Sequence, residues 1–144
     1  MINEVVVGDL TAEQVWRWLA SPLLWPFYHG GISDVTTGSG LSVGALFRYT
    51  MAGQQLDGEV TECEPPRRLV WRSAESQHIW VIENLRRGGI RVQAELRGHG
   101  RSATDAGSVQ QWLDGLVAAA RSGDPTEHRV VTSAGLSPAQ VRAL

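Results

Sequence analysis

Three side chains in this 144-residue chain combine the right type with the right placement to handle a proton or a polar ligand atom: Tyr49, His78 and His29. A phenol can donate a hydrogen bond to a carbonyl or act as a general acid, and an imidazole titrates near neutrality. Tyr49 alternates with Ala45, Phe47 and Met51 along Gly44–Ala52, so its hydroxyl would enter the space those apolar side chains face. His78 shares one strand face with Trp80, Ile82 and Asn84, while Ile79, Val81, Glu83 and Leu85 take the other. His29 closes the aromatic run Trp25-Pro26-Phe27-Tyr28 ahead of Gly30-Gly31, on a segment that reads as a lid over a cavity mouth. Each has a plainer alternative: a packed core tyrosine, a hydrogen-bonded structural or surface histidine, and a hydrophobic plug built from Trp25, Phe27 and Tyr28.

Other chemistries find no support. The four histidines lack metal-ligand spacing and Cys63 is the single cysteine, so neither a metal centre nor an internal disulfide is expected. Gly38-Ser39-Gly40 has no following Lys and helix, so it reads as a hairpin turn and not a phosphate loop. No Gly-x-Ser-x-Gly elbow occurs. Asp57 and Glu59 lie on one strand face opposite Leu56, Gly58 and Val60 and read as solvated charge, with Arg48 also outside. No cofactor is implied. A net charge of −2 gives no pull toward nucleic acid, and no apolar run approaches the ~20 residues needed to cross a bilayer. With a single thiol and no secretory leader pattern, a cytoplasmic protein is expected.

The elements that must position these residues follow from periodicity. A β-branched strand (Asn3–Gly8) precedes the capping box Thr11-Ala12-Glu13-Gln14, which opens a helix burying Val15, Trp18 and Leu19. Ser21-Pro22 ends that helix or starts a second short one. Strand patterns then run through Ile32–Thr37, Gly44–Ala52, Gln54–Glu64, Leu69–Arg72, Gln77–Arg86 and Ile90–Gly98, with turns too tight for crossovers between them. They imply an antiparallel meander. Across Thr104–Ser122, Val109, Trp112, Leu113, Leu116, Val117 and Ala120 form a stripe at helical spacing, with Gly123 as C-cap, and this helix covers the sheet. The tail 124–144 ends in a capping-box pattern, Ser137-Pro138-Ala139-Gln140, with room for a short helix; it could pack on the body, mediate self-association into a homodimer, or begin a further element.

The hairpin after Gln77–Arg86 decides which set of side chains looks inward. A three-residue turn, Arg87-Gly88-Gly89, would place Ile82 opposite Ala94 and turn His78 and Trp80 inward. A two-residue loop would turn Glu83 inward, an expensive burial of charge, so the first register is favoured.

The order of elements, with Val15-Trp16-Arg17-Trp18-Leu19, Trp25-Pro26, Gly44-Ala45-Leu46-Phe47-Arg48-Tyr49, the run Gly58–Arg72 and Trp112-Leu113, resembles the START-like, or SRPBCC, helix-grip superfamily. The resemblance covers about residues 2–122. It implies an α+β fold in which a curved antiparallel sheet of about seven strands wraps around a long C-terminal helix, a ligand-binding domain over 1–123 followed by the tail. It also implies a cavity between sheet and helix for an apolar or polycyclic small molecule. Tyr49, His78 and His29 would then be the catalytic candidates, and Phe47, Met51, Trp71, Trp80, Asn84, Trp112 and Tyr28 the ligand-binding wall. The superfamily includes polyketide cyclases and dehydrases, hydrophobic-ligand carriers and Hsp90-activator-like interaction modules. A cofactor-independent cyclase, dehydratase or isomerase of a polyketide-like compound is the leading expectation; carriage or sequestration, and the interaction module, stand beside it.

Overall fold

The computed structural model describes residues 2–38, 41–51, 53–73, 76–98, 106–123 and 125. Strand β1 (Ile2–Val7) leads into α1 (Ala12–Leu19), a 3-10 turn over Pro22–Leu24 and the single-turn α2 (Trp25–Tyr28). Six strands follow: β2 (Ile32–Thr37), β3 (Leu46–Met51), β4 (Gln54–Glu64), β5 (Arg68–Ser73), β6 (Ser76–Asn84) and β7 (Ile90–Gly98). Helix α3 (Ala106–Ser122) completes the set. All seven strands form one curved antiparallel sheet in the order β1-β7-β6-β5-β4-β3-β2. This is the α+β helix-grip arrangement that the resemblance implies. His99, the expected start of α3 at Thr104, His128 and all of the tail except Asp124's neighbour Pro125 lie outside the described residues.

Local chemistry explains the boundaries. The Thr11 hydroxyl accepts from the Gln14 amide while the Gln14 side chain accepts from the Thr11 N–H, the reciprocal box that opens α1. The sheet curves where pairing slips: β4 shifts register against β5 between Val60 and Glu62, and β2 against β3 between Ser33 and Thr36. The second slip holds Asp34 at φ 50°, a left-handed conformation that a short polar side chain tolerates.

The β6–β7 hairpin departs from the expected register. Its loop is five residues, Leu85–Gly89, closed by Asn84 opposite Ile90, so Ile82 faces Val92 and Trp80 faces Ala94. Two residues of slip preserve the face, because side chains alternate with period two. His78, Trp80 and Ile82 therefore point inward as expected, and Glu83 points out to pair with Arg91 at 2.7 Å. The outer surface carries further guanidinium–carboxylate pairs across strands, Arg48–Asp57, Arg72–Glu59 and Arg68–Glu62.

The core lies between the concave face and the helices. The expected α3 stripe, Val109, Trp112, Leu113, Leu116, Val117 and Ala120, is buried throughout. Two side-chain clamps fix the end of α3: the Trp18 indole donates to the Gly123 carbonyl at 2.9 Å, and Arg121 meets Asp9 at 3.0 Å. Gly115 lets α2 approach α3 so closely that a methyl group there would overlap the Tyr28 carbonyl oxygen.

Candidate functional site

β3 presents Phe47, Tyr49 and Met51 to the concave side, and β5 presents Leu69, Trp71 and Ser73. β4 leaves room above Gly58, where the Phe47 ring takes the place a side chain would fill. β6 adds His78, directly opposite Trp71, and Trp80, and α3 lowers Trp112 onto the layer. The middle of this space is taken by Trp25. Its indole, fully buried, stacks on Trp71 at 5.1 Å and meets Trp112, Phe47 and Tyr49 edge-on at 5.0, 5.5 and 5.7 Å. Trp71 stacks in turn on His78 at 4.8 Å with planes 10° apart. Such offset and edge-to-face contacts are the favoured aromatic geometries.

Against this apolar layer, several polar atoms stand out. The Tyr49 hydroxyl, the Trp71 Nε1 and the Ser73 Oγ are all buried without a well-formed hydrogen bond, as is the Trp112 Nε1. Trp71 and Ser73 lie beside the Tyr49 phenol, near enough that weak hydrogen bonding from each pulls its pKa down. Burial nevertheless dominates and pushes that phenol above its ordinary value, so Tyr49 stays a protonated donor. Buried polar groups are normally satisfied, so a cluster left without well-formed hydrogen bonds marks a place where a polar atom is wanted. One indole N–H and two hydroxyls suit a ligand oxygen with lone pairs to spare.

Burial also pushes His78 down to about 4, so its imidazole is neutral at physiological pH. A folded value below the unfolded 6.5 means that protonation favours unfolding. The stabilising contribution is complete above about pH 6.5 and is lost as pH falls toward 4. Between pH 7 and about pH 4.5 this one group should cost the native state about 2–3 kcal/mol. Urea titrations at both pH values are expected to show that much more acid loss in the native sequence than in His78→Leu. Equal losses would mean that His78 is solvated.

The remaining expected residues sort differently. Met51 and Trp80 are buried in the layer. Tyr28 turns toward α1: its hydroxyl donates to the Trp18 carbonyl at 3.2 Å and its ring packs edge-on to Trp18. Burial raises its phenol, with Trp112 acting weakly the other way. His29 is buried at the end of α2, its Nδ1 accepting from the Gly31 N–H at 3.0 Å and its ring edge-on to Trp112 at 5.3 Å. Asn84 lies on the inward-facing side of β6 but at its exposed end, on the rim of a surface groove of about 460 Å³ that also touches Glu64, Arg67, Arg68 and Val81. That groove holds none of the aromatic layer, so the buried polar atoms are the better guide to a site. Ser73 is the residue that sequence reasoning missed. Its signal was the period-two continuation Leu69, Trp71, Ser73, one residue past the expected strand end at Arg72.

With this geometry established, known proteins give it a context. Residues 2–124 match the family described as polyketide cyclase / dehydrase and lipid transport. The chain belongs to that family. No curated protein matches. Among solved structures, a hypothetical protein from Helicobacter pylori is 26% identical with a TM-score of 0.75, over 83% of this chain and 86% of that one. Norcoclaurine synthase from Thalictrum flavum, solved with a transition-state analogue, shares 9% identity at a TM-score of 0.66, over 85% and 93% of the two chains. The di-domain aromatase/cyclase StfQ from the steffimycin biosynthetic pathway shares 13% at 0.62; the match covers 90% of this chain but only 46% of StfQ. The last two likenesses establish the fold alone. Among the described residues no helix is long and apolar enough to cross a membrane, and no cluster of His, Cys, Asp or Glu could hold a metal.

Proposed function

We propose that the protein binds a neutral, ring-bearing small molecule between the sheet and α3, and that Tyr49, Trp71 and Ser73 hold one oxygen of that molecule. The observation that carries this reading is a cluster of buried polar atoms, the Tyr49 hydroxyl with Trp71 and Ser73 beside it, that lack well-formed hydrogen bonds within a wall of aromatic rings. Ring-bearing ligands gain from such a wall by stacking, and the polar group fixes their orientation. Family membership supports a polyketide-like substrate and a cyclisation or dehydration. In an aldol-type closure, Tyr49 donates to the ketone oxygen while a carbon–carbon bond forms at the ketone carbon. The proton lost from the attacking methylene ends on the new alkoxide, with neutral His78 able to accept and return it. Loss of that hydroxyl with an adjacent proton then releases one water. Enforced folding of a flexible chain would supply much of the acceleration.

The test is Tyr49→Phe, followed through tryptophan fluorescence with acetylnaphthalene, a neutral bicyclic ketone, as probe. The loss of one hydrogen bond in a dry site should weaken binding about tenfold. Stability in urea should stay level or rise, because the variant deletes an unsatisfied buried hydroxyl. An unchanged Kd would sink the reading. Carriage without turnover is a second reading, favoured by the low basicity of His78 and the raised Tyr49 phenol, neither matched to neutral pH. Chromatography with mass spectrometry of the recovered ligand separates the two: an unaltered mass and an unaltered retention time after incubation mean carriage.

A further inference from the structure

Among the described rings packed on Trp71, Trp25 alone comes from neither the sheet nor α3. It sits on a short segment bounded by Ser21 and the Gly30-Gly31 pair, where Pro22–Leu24 and α2 form barely two turns. Its contacts are those an aromatic ligand would make: a stacked partner in Trp71 and edges from Phe47, Tyr49 and Trp112. Its one polar atom, Nε1, is spent outside that set, donating to the Leu19 carbonyl at 2.9 Å. The indole therefore packs on the Tyr49 and Trp71 rings while offering no partner to the polar atom of either. Buried donors without well-formed hydrogen bonds beside an apolar ring are a state that a ligand oxygen can improve upon.

We infer that Trp25 is a built-in occupant of the ligand site, a side chain that a ligand must displace. The inference rests on the reading of the site proposed above and adds how that site is controlled and what it selects. A ligand must carry a flat ring system, to replace the stacking on Trp71, and an oxygen, to take up the donors that Trp25 neglects. A plain hydrocarbon gains only the first and competes poorly with the resident indole. Displacement would lift α2 away, breaking the hydrogen bonds from the His29 amide to the Trp25 carbonyl at 2.9 Å and from the Ile32 amide to the His29 carbonyl at 3.1 Å.

Two measurements test this. In Trp25→Ala, free indole should bind saturably and at least tenfold more tightly than to the native sequence, and acetylnaphthalene should also bind about tenfold more tightly. Weaker ketone binding in the variant would make Trp25 part of the wall and overturn the inference. Should the variant not fold, hydrogen exchange on the native sequence decides. Acetylnaphthalene should speed exchange at the amides of His29 and Ile32 several-fold, whereas protection of those amides overturns displacement. Failure of the native sequence to bind the ketone at all would instead remove the site itself, so the two ideas fail by different results.

Discussion

Replacing Gly115 by alanine is expected to lower stability by about 2–3 kcal/mol, the reverse of its usual effect inside a helix. Alanine normally gains up to about 1 kcal/mol over glycine there, by restricting the unfolded chain and raising helix propensity. Here the added methyl would overlap the Tyr28 carbonyl oxygen. That atom belongs to backbone and cannot rotate aside, so α2 and α3 must separate, and overpacking of this kind typically costs about 1–3 kcal/mol or more. The separation would loosen the seat of Trp25 as well, since α2 carries both Trp25 and Tyr28. Guanidinium unfolding checks the first effect. A variant as stable as the native sequence would show that the helices do not approach so closely.

The largest loss is expected from Trp71→Ala, at about 3–5 kcal/mol. Trp71 is fully buried, stacks on Trp25 and His78, and also touches Phe47 and Trp112, so truncation opens a hole among rings that cannot all collapse into it. Near-ultraviolet circular dichroism should lose the signal of the coupled indoles, and Trp71→Phe should recover a good part of both stability and packing. A cost below about 1 kcal/mol would contradict the burial of this side chain.

These two residues differ in how far the sequence announces them. Trp71 falls on an inward-facing position by simple alternation, as does Tyr49, whereas His78 is placed only by adding the cost of burying Glu83 on the other face of its strand. The α3 stripe is just as plain, because six apolar residues at helical spacing leave one face to bury. Gly115 sits between them with nothing to mark it. Its meaning depends on a carbonyl from another element, a contact that no local pattern encodes. The same holds for Trp25. An aromatic residue before proline, near two glycines, suits an exposed lid as well as a buried plug, and only assembly of sheet and helix shows that it occupies the interior. The β6–β7 hairpin is an intermediate case. The cost of burying Glu83 fixes which face looks inward, and period-two alternation is blind to a slip of two, so His78 lies on the expected side while Ile82 meets Val92 in place of Ala94. Ser73 lies one residue past the expected strand end at Arg72, so alternation along Leu69 and Trp71 is not carried on to it.

The order of the strands has a consequence for how the chain acquires its fold. β1 pairs with β7 and not with any strand near it in sequence, and Asn3 bonds to Gln110 across 107 positions. During synthesis at about 5–20 residues per second, this first segment therefore waits several seconds with Val5 and Val7 bare until its neighbour is made. Closing so long a loop is slow even for a free chain, so docking of β1 should be a late event in refolding. The β3–β6 meander, whose pairings are all between consecutive strands, is the natural place for order to begin.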